Sequence, residues 1–165
     1  MIDEIALTVE VTAPCQRWER ACAGAMHLPE AAARLVLLRN DAPPNSVVDI
    51  TLTDDAAQQA LNRIWRSKDE PTNVLAFPSA DAATPGPEGA PLLLGDVVLA
   101  YETVAREAAE QQKPLADHLR HLVVHGVLHL LGHDHTNPTD AATMEACEIK
   151  ILAELGVPDP YRDIM

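Results

Sequence analysis

Two spacings of apolar residues alternate along this chain. From Ile5 to Val11 apolar and polar residues take turns, which predicts a strand with one buried face. SVVDITLT (46–53), TNVLAFP (72–78) and the β-branched run LLLGDVVLA (92–100) predict three more strands, the second of them closed by Pro78. Between them the spacing shifts to three and four, and helices are expected. The first runs over 14–25, with Pro14 at its first position, and the second from Pro29 through Arg39. The third extends from a cap at Thr53 or Asp54 to about Trp65. The fourth covers 101–112, the fifth runs from Pro114 to a stop at Gly132, and the sixth covers about 138–155, ending before Gly156. DAPPN (41–45) breaks the chain, and 79–91 has the composition of an exposed loop. Because strands and helices interleave without a linker or repeat, the expected architecture is α/β: a single domain over 1–165, one sheet layered with five or six helices.

Length and composition agree with that picture. A chain of 165 residues, 47% hydrophobic and 22% charged, can bury a sizeable core, and with 3% aromatic residues that core must be aliphatic. No apolar run reaches the length of a membrane span. The acidic start MIDEIALTVEV lacks the basic residues of a signal peptide, so a cytoplasmic location is expected. Cys15, Cys22 and Cys147 are an odd number without paired spacing and read as reduced, partly buried thiols. The net charge of −13 argues against a simple electrostatic nucleic-acid binder. It is uneven, however: residues 1–68 carry a net −2 and the remainder −11, so a local basic surface around Arg63, Arg66 and Lys68 is compatible with it. The scarcity of aromatics predicts no stacking platform for nucleic-acid bases.

The chemistry concentrates in HGVLHLLGHDH (125–135), within a stretch from His118 to His135 that holds six of the seven histidines. His125 and His129 stand four apart, on one face of the fifth helix. Gly132 lets the chain reverse, and His135 can return to the same point. Three neutral imidazoles suit Zn²⁺ and leave a position for water or substrate, and the negative end of the helix dipole favours a cation there. His133 breaks the helical face and reads as a neighbour of the ligands or an exposed residue. His118 and His121 either line the same cleft or are solvated or hydrogen-bonded helix residues. Asp134 either orients a ligand, takes a proton from water, or forms a turn.

The frame H-x-x-x-H-x-x-G-x-x-H is also that of the metzincin peptidases, which carry a glutamate base directly after the first histidine. Here that position is Gly126, which argues against peptide hydrolysis and for another metal-assisted hydrolysis. In LNRIWRSKDEPTNVLAFP (61–78) a basic cluster precedes a short strand. An arginine fork can stabilise the charge that develops on a phosphodiester, although basic residues at a helix end are also simply solvated.

Taken together, the two segments with LLGDVVLA, QKPLADH (112–118) and MEACEIKILAELGVPDPY (144–161) resemble the YbeY-type single-strand-specific endoribonucleases, or rRNA maturation factors. The resemblance spans about 46–161 and is loose before that. It implies a mixed four-stranded sheet and one Zn²⁺ per chain held by His125, His129 and His135. It places the functional arginine at Arg66 rather than Arg63, because the family's arginine follows an aromatic residue, here Trp65. The candidate assignment is therefore Arg66 and Asp134 as catalytic residues, with Lys68 and His121 in substrate binding. The resemblance further implies single-stranded RNA as substrate, maturation of the 3′ end of 16S rRNA, ribosome quality control, and ribosomal protein S11 and the GTPase Era as partners. Ser67 and Ala76 depart from the residues common there without removing a ligand or a charge. Two other classes fit less well: a zinc peptidase-like hydrolase, and a non-catalytic ribosome-assembly factor with structural zinc, whose site would usually be closed by a fourth protein ligand.

Overall fold

A computed structural model describes residues 6–66, 72–80, 87 and 89–161, with the backbone alone at Arg66. The elements follow the order β1 (Leu7–Thr12), α1 (Arg17–Ala21), α2 (Leu28–Arg39), β2 (Ser46–Thr53), α3 (Asp55–Arg66), β3 (Val74–Pro78), β4 (Leu92–Ala100), α4 (Tyr101–Glu110), α5 (Leu115–Leu130) and α6 (Pro138–Glu154). Among the described residues the strands form one sheet in the order β1-β2-β4-β3. β1, β2 and β4 run parallel, and β3 pairs antiparallel with β4 at the edge. The mixed four-stranded sheet with six helices is thus present.

Strand alternation divides the sheet into two faces. Leu7 and Val9 of β1, Val48, Ile50 and Leu52 of β2, and Val97 and Leu99 of β4 are buried in the main core. Helices α2 and α5 contribute Val36, Leu37, Leu119, Val123, Val127 and Leu128 to that core. The buried set therefore runs from the strands through α2 and α5, and α5 buries its apolar positions against the sheet and α2 while its histidines line another side. Helix α3 lies on the other face, where Gln58 donates to the Val98 carbonyl at 2.9 Å. Between the described residues of the helices, none is long and apolar enough to cross a membrane.

Most boundaries follow local chemistry. Asp54 caps α3 by accepting from the Ala57 amide at 2.9 Å, which decides between the two candidate caps. The first helix departs from expectation: it is the short α1, and Pro14 lies three residues before it. No helix starts at Pro14; the Cys15 amide donates to the Leu52 carbonyl at 3.4 Å, which ties this segment to the end of β2. Trp18 then anchors the short turn, fully buried with its indole N–H on the Thr53 carbonyl at 2.9 Å. Cys22 is buried and Cys15 and Cys147 are half-buried, all three as free thiols.

Candidate metal centre

Helix α5 carries His118, His121, His125 and His129 at spacings of three and four, so they form one stripe along its side. The helix ends in a Schellman motif: Gly132 has φ +97°, its amide donates to His129 O at 3.0 Å, and the His133 amide donates to Leu128 O at 3.0 Å. The reversed chain is then fixed by its own side chains. Asp134 Oδ1 accepts from the His135 amide at 2.7 Å, and Thr136 Oγ1 donates to Asp134 Oδ2 at 3.3 Å. Asn137 caps α6 through the Asp140 amide at 2.8 Å. Between these two clamps His135 is returned to the end of the histidine stripe.

The three imidazoles converge. One potential ligand atom from each of His125, His129 and His135 lies within 4.8 Å of the other two. The rings of His125 and His135 stack at 5.6 Å, and that of His129 stands edge-on to both. His125 Nδ1 is 2.8 Å from Glu148 Oε1, which leaves Nε2 as its free nitrogen, 3.1 Å from His129 Nε2. Two nitrogens bound about 2.0–2.1 Å from one tetrahedral ion stand about 3.3 Å apart, so the donor set fits a single first-row divalent ion. Burial first, then the neighbouring His125 and His135, push the His129 pKa below its ordinary value. That favours the neutral imidazole a metal requires.

Glu148 is the residue at this site that histidine spacing does not reveal. It is fully buried on α6, and its carboxylate gathers three groups: His125 Nδ1, the Tyr161 hydroxyl at 2.6 Å, and His121 Nε2 at 3.4 Å. A ligating histidine whose other nitrogen meets a carboxylate has a fixed tautomer and ring orientation. The sequence signal was available in principle: Met144, Ile151 and Leu152 define the buried face of α6, and Glu148 interrupts it.

A cleft of about 420 Å³ opens in front of the histidines. One wall is Asn73 and the edge strand β3 (Val74, Ala76, Pro78), and the other is His125, Gly126, His129 and His135. Gly126 keeps these walls together. A Cβ there would stand 2.7 Å from Val97 Cγ1 and 3.5 Å from Val74 Cγ2, so α5 rests directly on the sheet. The glutamate of the peptidase frame is not only absent but has no room. Asn73 is held at the rim by Glu107, to which its amide donates at 3.0 Å, and Glu107 in turn meets the buried His118 at 2.9 Å.

The other candidates are placed as follows. His121 faces Glu148 and Tyr161 behind His125 and is not part of the cleft wall. Asp134 spends its carboxylate on the turn that presents His135, and with His133 it borders a separate shallow depression. Arg66 is the last residue of α3, and Lys68 lies outside the described residues. Trp65, on the same helix as Arg66, is 69% exposed and stands edge-on to Phe77 at 6.4 Å.

Comparison with known proteins gives the site its family. The chain is 52% identical over 165 residues to an "Endoribonuclease YbeY" from Paramagnetospirillum magneticum, covering 95% of this chain and 97% of the relative. It is 48% identical to the protein of that name from Azorhizobium caulinodans, over 94% of this chain and 96% of the relative. A Thermotoga maritima protein solved in solution shares the fold with a TM-score of 0.53 at 19% identity, over 96% of this chain and all of that one. The family model described as "Endoribonuclease YbeY" matches residues 18–156, a span that contains the cleft, its three histidines and Glu148, and the chain belongs to that family.

Proposed function

We propose that the protein is a zinc-dependent endoribonuclease that cleaves single-stranded RNA in ribosomal RNA processing. The observation that carries this reading is the convergence of His125, His129 and His135 at an open cleft, backed by the buried Glu148. A divalent ion held by those imidazoles supplies Lewis acidity toward a phosphodiester oxygen or a water. Glu148 fixes the tautomer of His125 so that Nε2 faces the cleft. Asp134 acts through His135, whose turn it holds, rather than on the substrate. Arg66, with Lys68 following it in sequence, stabilises the negative charge that grows on the phosphate oxygens, where a bidentate guanidinium fork is most effective. His121 serves His125 through Glu148 rather than RNA.

Family membership supports placing the activity in maturation of the 3′ end of 16S rRNA and in ribosome quality control, in the cytoplasm, with ribosomal protein S11 and the GTPase Era as partners. Gly126 speaks against peptide hydrolysis. The three-residue donor set, open on the cleft side, speaks against a purely structural zinc.

The test is cleavage of single-stranded RNA by purified protein. Arg66→Ala is expected to lower kcat by roughly 10²–10³-fold, the cost of removing one preorganised stabiliser of transition-state charge. His129→Ala is expected to abolish cleavage. Wild-type rates in both variants would show that the cleavage belongs to another protein or that the site is misassigned.

A further inference from the structure

Helix α3 ends in a patch the metal centre does not use. Ile64 and Trp65 are the two most exposed large hydrophobic residues of the described chain, at 67% and 69%. Trp65 is steadied by the edge of Phe77 and leaves most of its ring open to solvent. It borders a groove of about 490 Å³ with Leu61, Phe77, Pro78, Leu93 and Asp96. This groove and the histidine cleft share Pro78. Phe77 stands opposite Asp96 on one face of the edge strand β3, while Ala76 stands opposite Val97 on the face that meets α5. The two depressions therefore lie on either side of one strand at the sheet edge.

Charge narrows what the groove receives. Arg63 and Arg66 occupy the last turn of α3, and Lys68 follows in sequence, a basic segment in an acidic chain. The groove wall itself carries Asp96, beside Asp49 in the parallel register. Carboxylates there repel a phosphate, so the groove suits an uncharged planar group whose phosphates stay outside it, on the side of the α3 end.

We propose that Trp65, backed by Phe77, is a stacking platform for one base of a single-stranded RNA that crosses the edge of β3 into the histidine cleft. An indole stacks on any base, so the platform adds affinity without sequence readout. The proposal rests on the endoribonuclease reading and locates a substrate contact outside the histidine cleft.

The experiment uses the full-length, metal-loaded protein and a 2′-O-methyl oligoadenylate decamer. The chain has two tryptophans, and Trp18 is fully buried, so quenching by the oligonucleotide reports on Trp65. Quenching is expected in wild type and lost in Trp65→Ala. Anisotropy of a labelled decamer should show affinity weakened roughly 5- to 150-fold in Trp65→Ala, the range for one stacked base, and largely kept in Trp65→Phe. With cleavable RNA the loss should appear in KM rather than kcat. Unchanged affinity and KM in Trp65→Ala would overturn the platform while leaving the nuclease reading intact. Wild-type protein that neither binds the decamer nor cuts RNA would overturn both. Unchanged RNA kinetics with lost binding of a ribosome-assembly protein would assign the patch to protein contact and overturn the proposal.

Discussion

Glu148→Ala should weaken metal binding by roughly 10- to 100-fold, the cost of removing the outer partner of a ligating histidine. It should also cost the fold about 3–5 kcal/mol, because breaking a buried polar pair leaves its partners uncompensated. Three groups lose an acceptor at once: His125 Nδ1, His121 Nε2 and the Tyr161 hydroxyl. Glu148→Gln separates the two effects, since the amide preserves shape and can still accept one hydrogen bond. In that variant a chelator competition should still show weakened metal binding while the protein remains folded. Metal affinity equal to wild type in Glu148→Gln would mean that the carboxylate supports the fold and not the ligand.

The same residue sets an acid limit. Burial raises the Glu148 pKa, but hydrogen bonds from His121, His125 and Tyr161 outweigh it and hold the carboxyl down from 4.5 to about 2. A carboxyl depressed on folding contributes its stability above the unfolded pKa and loses it as pH falls toward the folded one. The window is therefore from 4.5 down to about 2, and the contribution at stake is roughly 3 kcal/mol. Urea unfolding followed downward from about pH 5 should show a steep loss in wild type and a flatter one in Glu148→Gln. Parallel curves would contradict this assignment.

Gly95→Ala should be among the most damaging small substitutions in the sheet. Gly95 has φ +149°, where a side chain is strained, and it follows a register shift between β2 and β4. An added Cβ would collide with the Phe77 carbonyl oxygen, and it would lie 2.8 Å from Leu130 Cδ2 and 3.0 Å from Pro78 Cα. Strand β3 is held from one side by β4 and from the other by α5, so it cannot move without opening the cleft it walls. Backbone strain and overpacking together cost about 3–5 kcal/mol. For a chain of this size that lowers Tm by roughly 6–20 °C. An unchanged Tm in a scanning calorimeter would show that the strand yields more easily than its contacts indicate.

What could be read beforehand follows from how far each signal reaches along the chain. Strand alternation, the Asp54 cap, and the glycine stops at Gly132 and Gly156 act within a few residues, and they stand where expected. Pro14 misled because its fate is set by a strand almost forty residues away, through the Cys15 amide and Leu52 carbonyl. The insertion of β4 between β2 and β3 has no local cause either; residue periodicity gives strands but not their order. The same distinction runs through the site. His125, His129 and His135 share one helix and one turn, so spacing alone groups them. Glu148 reaches His125 from α6, and Tyr161 meets Glu148 and His121 from the segment after it, so only tertiary packing brings these groups together. Gly126 was legible as a missing base, whereas its contact with Val97 was not. The exposure of Trp65 is a property of where α3 ends on the fold, which neither aromatic content nor residue spacing reports.

The most direct test of the central claim is metal content measured on gently purified protein. Wild type should carry about one equivalent of zinc per chain, and His125→Ala, His129→Ala and His135→Ala should each carry well under half, since a three-imidazole set has no spare protein ligand. Wild-type protein without metal, or variants that retain a full equivalent, would contradict the assignment of these three histidines as the centre on which cleavage depends.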